Sequence, residues 1–391
     1  MAEPWVTIIG LGEDGPEGLS VASRAALDAA EAVFGGPRHL ALAGIDAGRA
    51  RPWPVPFDTA PVLALRGTRV AVLASGDPFW HGAGGTLAAD LAPGEWRCFP
   101  APSAPALAAA RLGWRLEDCI ALGLHAAPFE RLRPLLAPGV RAIVTLRDGA
   151  APAELARWLT ARGHGPSRVW VMQALGGPRE EILAATAETF ASPAAAPCLM
   201  AIEAAGTGFL PRAPGLPEDL FAHDGQITKA PIRAVTLSAL APRPGEHLWD
   251  VGGGSGSVSV EWGLAGGRAT VIEAKPARAA NIRANAEAFG LAHRIAVVEG
   301  RAPEALAGLP PPEAVFVGGG FSLALFEALR AAAPAARIVV NAVTLETEAL
   351  LVHLQGSHGG SLLRIETAQA EPLGPLHGWS RARPVVQWRL G

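Results

Sequence analysis

An acid, a run of glycines and a second acid one strand later form the most chemically informative pattern in the chain. Residues 247–257 read His-Leu-Trp-Asp-Val-Gly-Gly-Gly-Ser-Gly-Ser, a short apolar strand and a glycine loop, and Glu273 ends the next strand, Arg268-Ala-Thr-Val-Ile-Glu273. In Asp250-x-Gly252-x-Gly254-x-Gly256 the missing β-carbons let a ligand approach the backbone, and the helix opening near Ser257 offers it unpaired N–H groups. Glu273 is placed to take both hydroxyls of a ribose. Such a loop suits a nucleoside cofactor, with S-adenosylmethionine ahead of a nicotinamide or flavin dinucleotide. A dinucleotide site usually spaces its glycines G-x-G-x-x-G, and here the third glycine comes one residue early.

Four further loops in the amino half carry ligand-type residues. Gly10-Leu-Gly12-Glu-Asp-Gly15 formally matches G-x-G-x-x-G, yet Pro16, Glu17 and Gly18 delay the helix to about Ser20, which leaves a plain strand-to-helix turn as the alternative. The loop Ala74-Ser75-Gly76-Asp77-Pro-Phe-Trp-His81 through Gly85 ends a strongly apolar strand, where α/β proteins place ligands. Asp77 before Pro78 also suits a turn, and His81 a helix cap. Pro100-Ala-Pro-Ser103-Ala-Pro105 and Leu175-Gly-Gly-Pro-Arg-Glu180 complete the set, and together they indicate a cleft.

The elements that must position these loops alternate. From Thr228 the pattern gives helix (229–240), strand (246–251), helix (257–264), strand (269–273), helix (276–289) and strand (294–298). It continues with strand 314–317, helix 322–332, strand 337–340 and helix 345–354, then extended stretches 362–368 and 384–390 that suit a terminal antiparallel pair. Such alternation implies a parallel sheet covered on both faces. The amino half offers strands at 5–9, 68–74, 96–99, 119–124, 141–146, 168–173 and 198–203 between Ala-rich helices. Residues 206–223 are rich in Gly and Pro without periodicity, so the expected division is a domain over 1–205, a linker over 206–223 and a domain over 224–391.

With 391 residues, half of them apolar, the chain has ample core for two domains. A net charge of −3 without any Lys/Arg block argues against a binder of nucleic acid and favours a small or pocket-bound substrate. Apolar runs are too short or interrupted to span a membrane, and the start lacks a signal-type segment, so a cytoplasmic protein is expected. Cys98, Cys119 and Cys198 read as reduced core residues, with no metal site and no disulfide framework. Lysine occurs only at 229 and 275, both beside the glycine-loop region, which chance and a solvated face also explain.

Taken together, these segments resemble the fused, decarboxylating precorrin-6Y C5,15-methyltransferase family of cobalamin biosynthesis. The amino half is similar to tetrapyrrole methylases through Gly10–Gly15 with Glu17-Gly-Leu-Ser20, Gly35-Gly-Pro-Arg-His-Leu40, Leu73-Ala-Ser-Gly-Asp-Pro-Phe79, Pro100–Ser103 with Ala109–Trp114, and Leu175–Pro178. The carboxyl half resembles the matching decarboxylating domain through Gln226-Ile-Thr-Lys229, Leu248–Val251 with its glycines, Ala302–Leu306, Val315-Phe-Val-Gly-Gly319 and Asn341-Ala-Val-Thr-Leu-Glu-Thr347. The resemblance implies an α/β tetrapyrrole methylase (class III methyltransferase, two α/β subdomains with a cleft) fused to a Rossmann-like class I methyltransferase, in a homo-oligomer. It implies two S-adenosylmethionine sites. One uses Thr228, Asp250, Gly252, Gly254, Gly256, Ser257, Glu273, Arg301, Ala302 and Gly318; the other uses Gly10, Gly12, Ser75, Gly76, Asp77 and Ser103. Two departures stand out: Gly-Glu-Asp-Gly replaces the usual Gly-Pro-Gly-Asp in the first loop, and Arg301 stands where relatives often carry Asp, leaving adenine contacts to backbone at 301 and 302 and to stacking by the guanidinium.

The implied reaction is methylation of carbon 5 by the amino domain, and methylation of carbon 15 with loss of carbon dioxide from the carbon 12 acetate by the carboxyl domain, giving precorrin-8 from precorrin-6B. An enamine-like ring carbon can attack the sulfonium methyl directly, and the resulting iminium is an electron sink for decarboxylation. Alignment is then the protein's main task, with gains of roughly 7–11 kcal/mol available from orientation. Substrate carboxylates suit arginine forks, and Arg38, Arg111, Arg233 and Arg381 lie near motifs. Asp224 and His377 are the expected proton-transfer groups, in glycine-containing segments. A second reading keeps only the carboxyl methyltransferase active, with the amino half a degenerate module for ligand binding or assembly.

Overall fold

The computed structural model describes residues 4–391, which form two compact units. The first comprises residues up to Phe129 and Leu135–Phe209, the second Leu210–Gly391 with Glu130–Pro134.

The first unit holds two five-stranded sheets. The first sheet uses β1 (Val6–Leu11), α1 (Val21–Asp28), β2 (Ala32–Gly35), α2 (Pro37–Leu42), β3 (Ala50–Pro52), α3 (Ala60–Leu63), β4 (Val70–Ser75), α4 (Ala83–Ala89) and β5 (Trp96–Phe99). Its order is β3-β2-β4-β1-β5, parallel throughout. Val6–Leu11 and Val70–Ala74 are buried, the unbroken apolar runs that a parallel sheet covered on both faces requires. The second sheet follows α5 (Ala104–Leu112) with β6 (Cys119–Gly123), β7 (Arg141–Thr145), α6 (Ala151–Ala161), β8 (Arg168–Gln173), β9 (Glu181–Thr186) and β10 (Cys198–Glu203). Its order is β6-β7-β10-β8-β9, antiparallel except for the β6–β7 pair.

In the second unit α7 (Ala230–Leu240) precedes β11 (His247–Val251), α8 (Ser257–Leu264), β12 (Arg268–Glu273), α9 (Pro276–Ala288), β13 (Ile295–Glu299), β14 (Ala314–Val317), α10 (Leu323–Ala332), β15 (Arg337–Ala342) and α11 (Leu345–His358). The chain ends with β16 (Ser361–Ile365), β17 (Ala368–Leu373), β18 (Leu376–Arg381) and β19 (Val385–Leu390). Seven strands order as β13-β12-β11-β14-β15-β19-β16, parallel through β15 and antiparallel at β19 and β16, while β17 and β18 form a separate exposed hairpin. Strand order reverses between β11 and β14, the topological switch point at which open α/β sheets bind ligands.

Several expectations are corrected. Strands β2, β3 and β9 and the β17–β18 hairpin add to the expected strands; β2 and β3 are short, β9 follows a Gly-Pro turn and is largely exposed, and the hairpin lacks an apolar face. Residues 206–223 are no free linker. Leu216 and Phe221 are core residues, and Gly206 packs where a β-carbon would lie 2.0 Å from the Gly163 carbonyl oxygen. The Gly and Pro content there serves close packing. Among the described residues no helix is long and apolar enough to cross a membrane.

Candidate functional sites

In the second unit the glycine loop leaves β11 at the switch point and enters α8. Gly252, Gly254 and Gly256 all take positive φ (73°, 59° and 71°), a backbone closed to most side chains. Their bareness also admits neighbouring chain: a β-carbon at Gly252 would lie 3.1 Å from the Gly319 oxygen, one at Gly254 3.2 Å from the Gln226 oxygen, and one at Gly256 2.8 Å from Ile282 Cγ2 of α9. The loop is thus drawn against the Gln226–Lys229 and Val315–Gly319 segments. Gly318 donates its N–H to the Val251 oxygen at 3.1 Å.

Glu273 is buried at the end of β12, its two carboxylate oxygens accepting N–H groups of Gly254 and Lys275, both at 2.9 Å. Each oxygen keeps a free lone pair, the arrangement two vicinal hydroxyls need. Asp250 is 1% exposed; Oδ2 accepts the Ser259 hydroxyl at 2.7 Å and Oδ1 has no hydrogen-bond partner. Burial, with the Glu273 charge adding to it, pushes the Asp250 carboxyl up to about 6. Ser255 Oγ is likewise buried without a partner, and Ser257, the first residue of α8, is buried. An orphaned buried carboxylate oxygen and hydroxyl beside a bare glycine loop fit a cationic nucleoside. Arg301 lies exposed two residues beyond β13, with Ala302 half-buried and joined to Pro303 by a cis bond.

Other expected residues of this unit take structural roles. Arg233 is wholly buried: Nε donates to Glu261 Oε1 at 2.5 Å, and its other nitrogens donate to the Thr228 and Leu216 carbonyls. Glu261 also accepts the Gly215 and Leu216 N–H groups at 2.7 and 2.9 Å. This buried ion pair pins residues 215–216 and 228 to α7 and α8, so Arg233 is corrected from substrate ligand to scaffold, and Thr228 is positioned by it. Asp224 Oδ2 accepts from Arg278 Nε at 2.8 Å and Oδ1 from the Gln226 N–H at 3.0 Å. The Arg278 hydrogen bond holds its carboxyl below the usual range, so the expected proton donor is corrected to a loop anchor. His377 and Arg381 both sit exposed on β18, away from the glycine loop's strands, and are corrected to hairpin surface. Asn341, at the end of β15, donates to Thr236 Oγ1 at 2.9 Å and accepts from Gln387 Nε2 at 2.9 Å.

In the first unit a cavity of about 580 Å³ lies between the two sheets, floored by the carboxyl ends of β1 and β4 and by the start of α5. Gly12, Ser75, Gly76, Asp77 and Ser103 line it. Gly10 does not: a β-carbon there would lie 1.9 Å from the Gly76 oxygen and 2.5 Å from the Ala101 nitrogen, so its bareness joins three loops and the ligand expectation is corrected. Asp77 Oδ1 accepts the Phe79 N–H at 2.9 Å, a turn-forming contact, and Ser103 Oγ caps α5 through the Ala106 N–H. Arg38 on α2 reaches the cavity, pairs with Glu13 and donates to Ser75 Oγ at 2.8 Å; Arg179 donates to the same Glu13 at 3.3 Å. Arg111 instead forms a bidentate pair with Glu180 at 2.6 and 2.9 Å and is absent from the lining, which corrects its assignment.

Sequence reasoning missed Glu13, His39, His125, Thr145, Trp53 and Phe57, all lining the same cavity. His39 Nε2 shares the Ser75 hydroxyl at 2.8 Å, and burial, helped by the Arg38 charge, pushes its pKa down to about 4, so it is a neutral ring. Its Nδ1 and Thr145 Oγ1 are buried without partners. The Gly-Gly-Pro-Arg-His motif could have flagged His39 and the Gly10–Gly15 loop Glu13; the others sit on unremarkable sequence. Among the described residues no cluster of His, Cys, Asp and Glu forms a metal-binding group.

Comparison with known proteins agrees with the division into two methyltransferase units. Residues 6–191 match the family model described as tetrapyrrole (corrin/porphyrin) methylases, and residues 219–391 the one described as a precorrin methyltransferase domain. The chain is 47% identical to "Precorrin-6Y C(5,15)-methyltransferase [decarboxylating]" of Sinorhizobium sp., covering 99% of this chain and 96% of that protein. It is 40% identical to the protein of the same name from Mycobacterium tuberculosis, covering 98% and 99%. A shorter relative from Pyrobaculum calidifontis, "Probable cobalt-precorrin-6B C(15)-methyltransferase (decarboxylating)", is 42% identical over 37% of this chain and 78% of its own.

Proposed function

This chain belongs to the family of decarboxylating precorrin-6Y C(5,15)-methyltransferases, and on that premise we propose that its two units divide the work, each holding its own molecule of S-adenosylmethionine. The enzyme transfers methyl groups to carbons 5 and 15 of precorrin-6B and releases the carbon 12 acetate carboxyl as carbon dioxide. Carbon 5 falls to the first unit, carbon 15 and decarboxylation to the second. The shorter Pyrobaculum relative supports the pairing, since its name joins carbon 15 to decarboxylation without carbon 5.

The observation that carries the two-site reading is that each unit keeps buried polar atoms without protein partners at its ligand face: Thr145 Oγ1 and His39 Nδ1 in the first, Asp250 Oδ1 and Ser255 Oγ in the second. Buried polar groups in native structures are otherwise almost always satisfied. S-adenosylmethionine, when bound, supplies an electrophilic methyl group to the nucleophilic ring carbon. In the second unit Glu273 would hold the ribose hydroxyls and the ionised Asp250 would face positive charge. In the first, Gly12, Ser75 and Gly76 offer backbone approach, while Arg38, braced by Glu13, is the one of the four expected arginines that lines the cavity and could meet a carboxylate arm. Binding energy spent on orientation serves both transfers.

Calorimetric titration of the full chain with S-adenosylhomocysteine should give two molecules per chain, and Glu273→Ala should weaken one of the two sites by roughly 10- to 100-fold while leaving the other unchanged. A wild-type stoichiometry of one would favour the reading in which the first unit is a non-catalytic module. Mass analysis after incubation with precorrin-6B should show two methyl groups gained and one carboxyl lost. At an S-adenosylmethionine concentration that fills the first site but not the weakened second one, Glu273→Ala should yield a single methyl with the carboxyl retained, and loss of the carboxyl there would overturn the division of labour.

A further inference from the structure

Two histidines that line the first unit's cavity have no part in the reading above. His81 follows β4 of the first sheet and His125 follows β6 of the second, so they come from opposite walls. Their rings meet edge to face, centroids 6.0 Å apart at 80°. Three features hold them there. Gly123, the last residue of β6, has no β-carbon where one would lie 3.0 Å from His81 Cγ and 3.2 Å from His125 Cε1. His81 itself takes φ +54°, a left-handed conformation that costs free energy for a residue with a β-carbon and that clusters at functional sites. Trp80 packs its ring against His81 at 4.8 Å and 90°. The arrangement is not spent on capping, since the N-cap of α4 is Gly82 and no side chain caps it.

We propose that His81 and His125 form a two-donor clasp for a carboxylate arm of the precorrin in the first unit's cavity. This rests on the reading that the first unit binds the precorrin. An imidazole carries at least one N–H donor, and two such donors from facing walls can reach the two oxygens of one carboxylate. Burial, with the neighbouring His81, holds His125 below its ordinary pKa, in keeping with a neutral donor. Arg38 is already paired with Glu13, which leaves these rings among the cavity's uncommitted side-chain N–H donors. Trp53, Phe57 and Trp80 add apolar surface against which a flat macrocycle can lie.

The test uses the full-length enzyme, precorrin-6B and S-adenosylmethionine labelled with carbon-13 in the methyl group, so that NMR separates methyl at carbon 5 from methyl at carbon 15. His81→Leu and His125→Leu should each raise KM for precorrin-6B at carbon 5 about tenfold, the scale of one lost hydrogen bond to a charged group, with kcat and the affinity for S-adenosylhomocysteine unchanged. His81→Gln and His125→Gln keep an N–H donor and should recover most of that loss. A fall in kcat at constant KM, Gln variants as impaired as Leu variants, weakened S-adenosylhomocysteine binding, or an unaltered KM in the Leu variants would each overturn the clasp. Absence of methyl at carbon 5 with the wild-type enzyme would instead overturn the assignment of the first unit.

Discussion

Replacing Asp250 by Asn separates what this carboxylate costs the fold from what it gives the cofactor. Asp250 is buried, one oxygen lacks a partner, and its pKa is raised from 3.8 to about 6. At 1.36 kcal/mol per unit, ionised Asp250 costs the cofactor-free fold about 3 kcal/mol relative to the unfolded chain. Because the folded pKa lies above the unfolded one, the cost is absent below about pH 4, grows through the window from 4 to 6, and is complete above it. Asparagine does not titrate. Whatever constant effect the amide has on packing, the stability difference between variant and wild type should therefore move by about 3 kcal/mol in the variant's favour, mostly between pH 4 and 7. Native-state hydrogen exchange at the β11 and β12 amides, compared at matched pH so that intrinsic rates cancel, reads this difference for the second unit alone. S-adenosylmethionine affinity in that unit should respond oppositely: it falls by about 1.5–3 kcal/mol in the variant, the scale of a charged hydrogen bond. In the wild type it weakens as pH drops below about 6. A stability difference that stays flat from pH 4 to 7 would refute the titration argument, and unchanged affinity would show that the orphaned oxygen does not face the ligand.

Glu273→Ala removes the acceptor of the Gly254 and Lys275 N–H groups and should weaken S-adenosylhomocysteine binding in the second unit by about 1.5–3 kcal/mol; equal affinity by calorimetry would remove Glu273 as the ribose ligand. Arg233→Met leaves Glu261 buried and unpaired and should destabilise the second unit by about 3–5 kcal/mol in urea unfolding, whereas a raised precorrin KM at unchanged stability would restore Arg233 as a substrate ligand. Gly76→Ala, at φ +52° with its new β-carbon 2.8 Å from the Pro102 oxygen, should cost at least about 1–2 kcal/mol and loosen the first unit's cavity, detectable as lost S-adenosylhomocysteine stoichiometry. His377→Ala, on the exposed β17–β18 hairpin, should leave the yield of doubly methylated, decarboxylated product unaltered by mass analysis.

The chain's local patterns determined a good deal by themselves. Period and punctuation carried the doubly wound second unit, because a parallel sheet buried on both faces needs continuous apolar strands, and β11, β12 and β14 supply them without ambiguity. The Asp250–Gly256 loop and Glu273 were legible as a nucleoside site because glycine spacing and a strand-ending acid are local signals. Short strands such as β3, and the wholly exposed β17 and β18, left no such trace. Only the tertiary structure decided which arginines are available. Arg38, Arg111, Arg233 and Arg381 are alike in sequence, but Glu261 is brought to Arg233 from α8 and Glu180 to Arg111 from the β8–β9 turn, and burial or pairing then fixes their roles. The meeting of His81 with His125 across Gly123 was equally invisible. Contacts between residues far apart in the chain depend on which loops the two sheets bring to one cavity, and no spacing along the sequence encodes that distance.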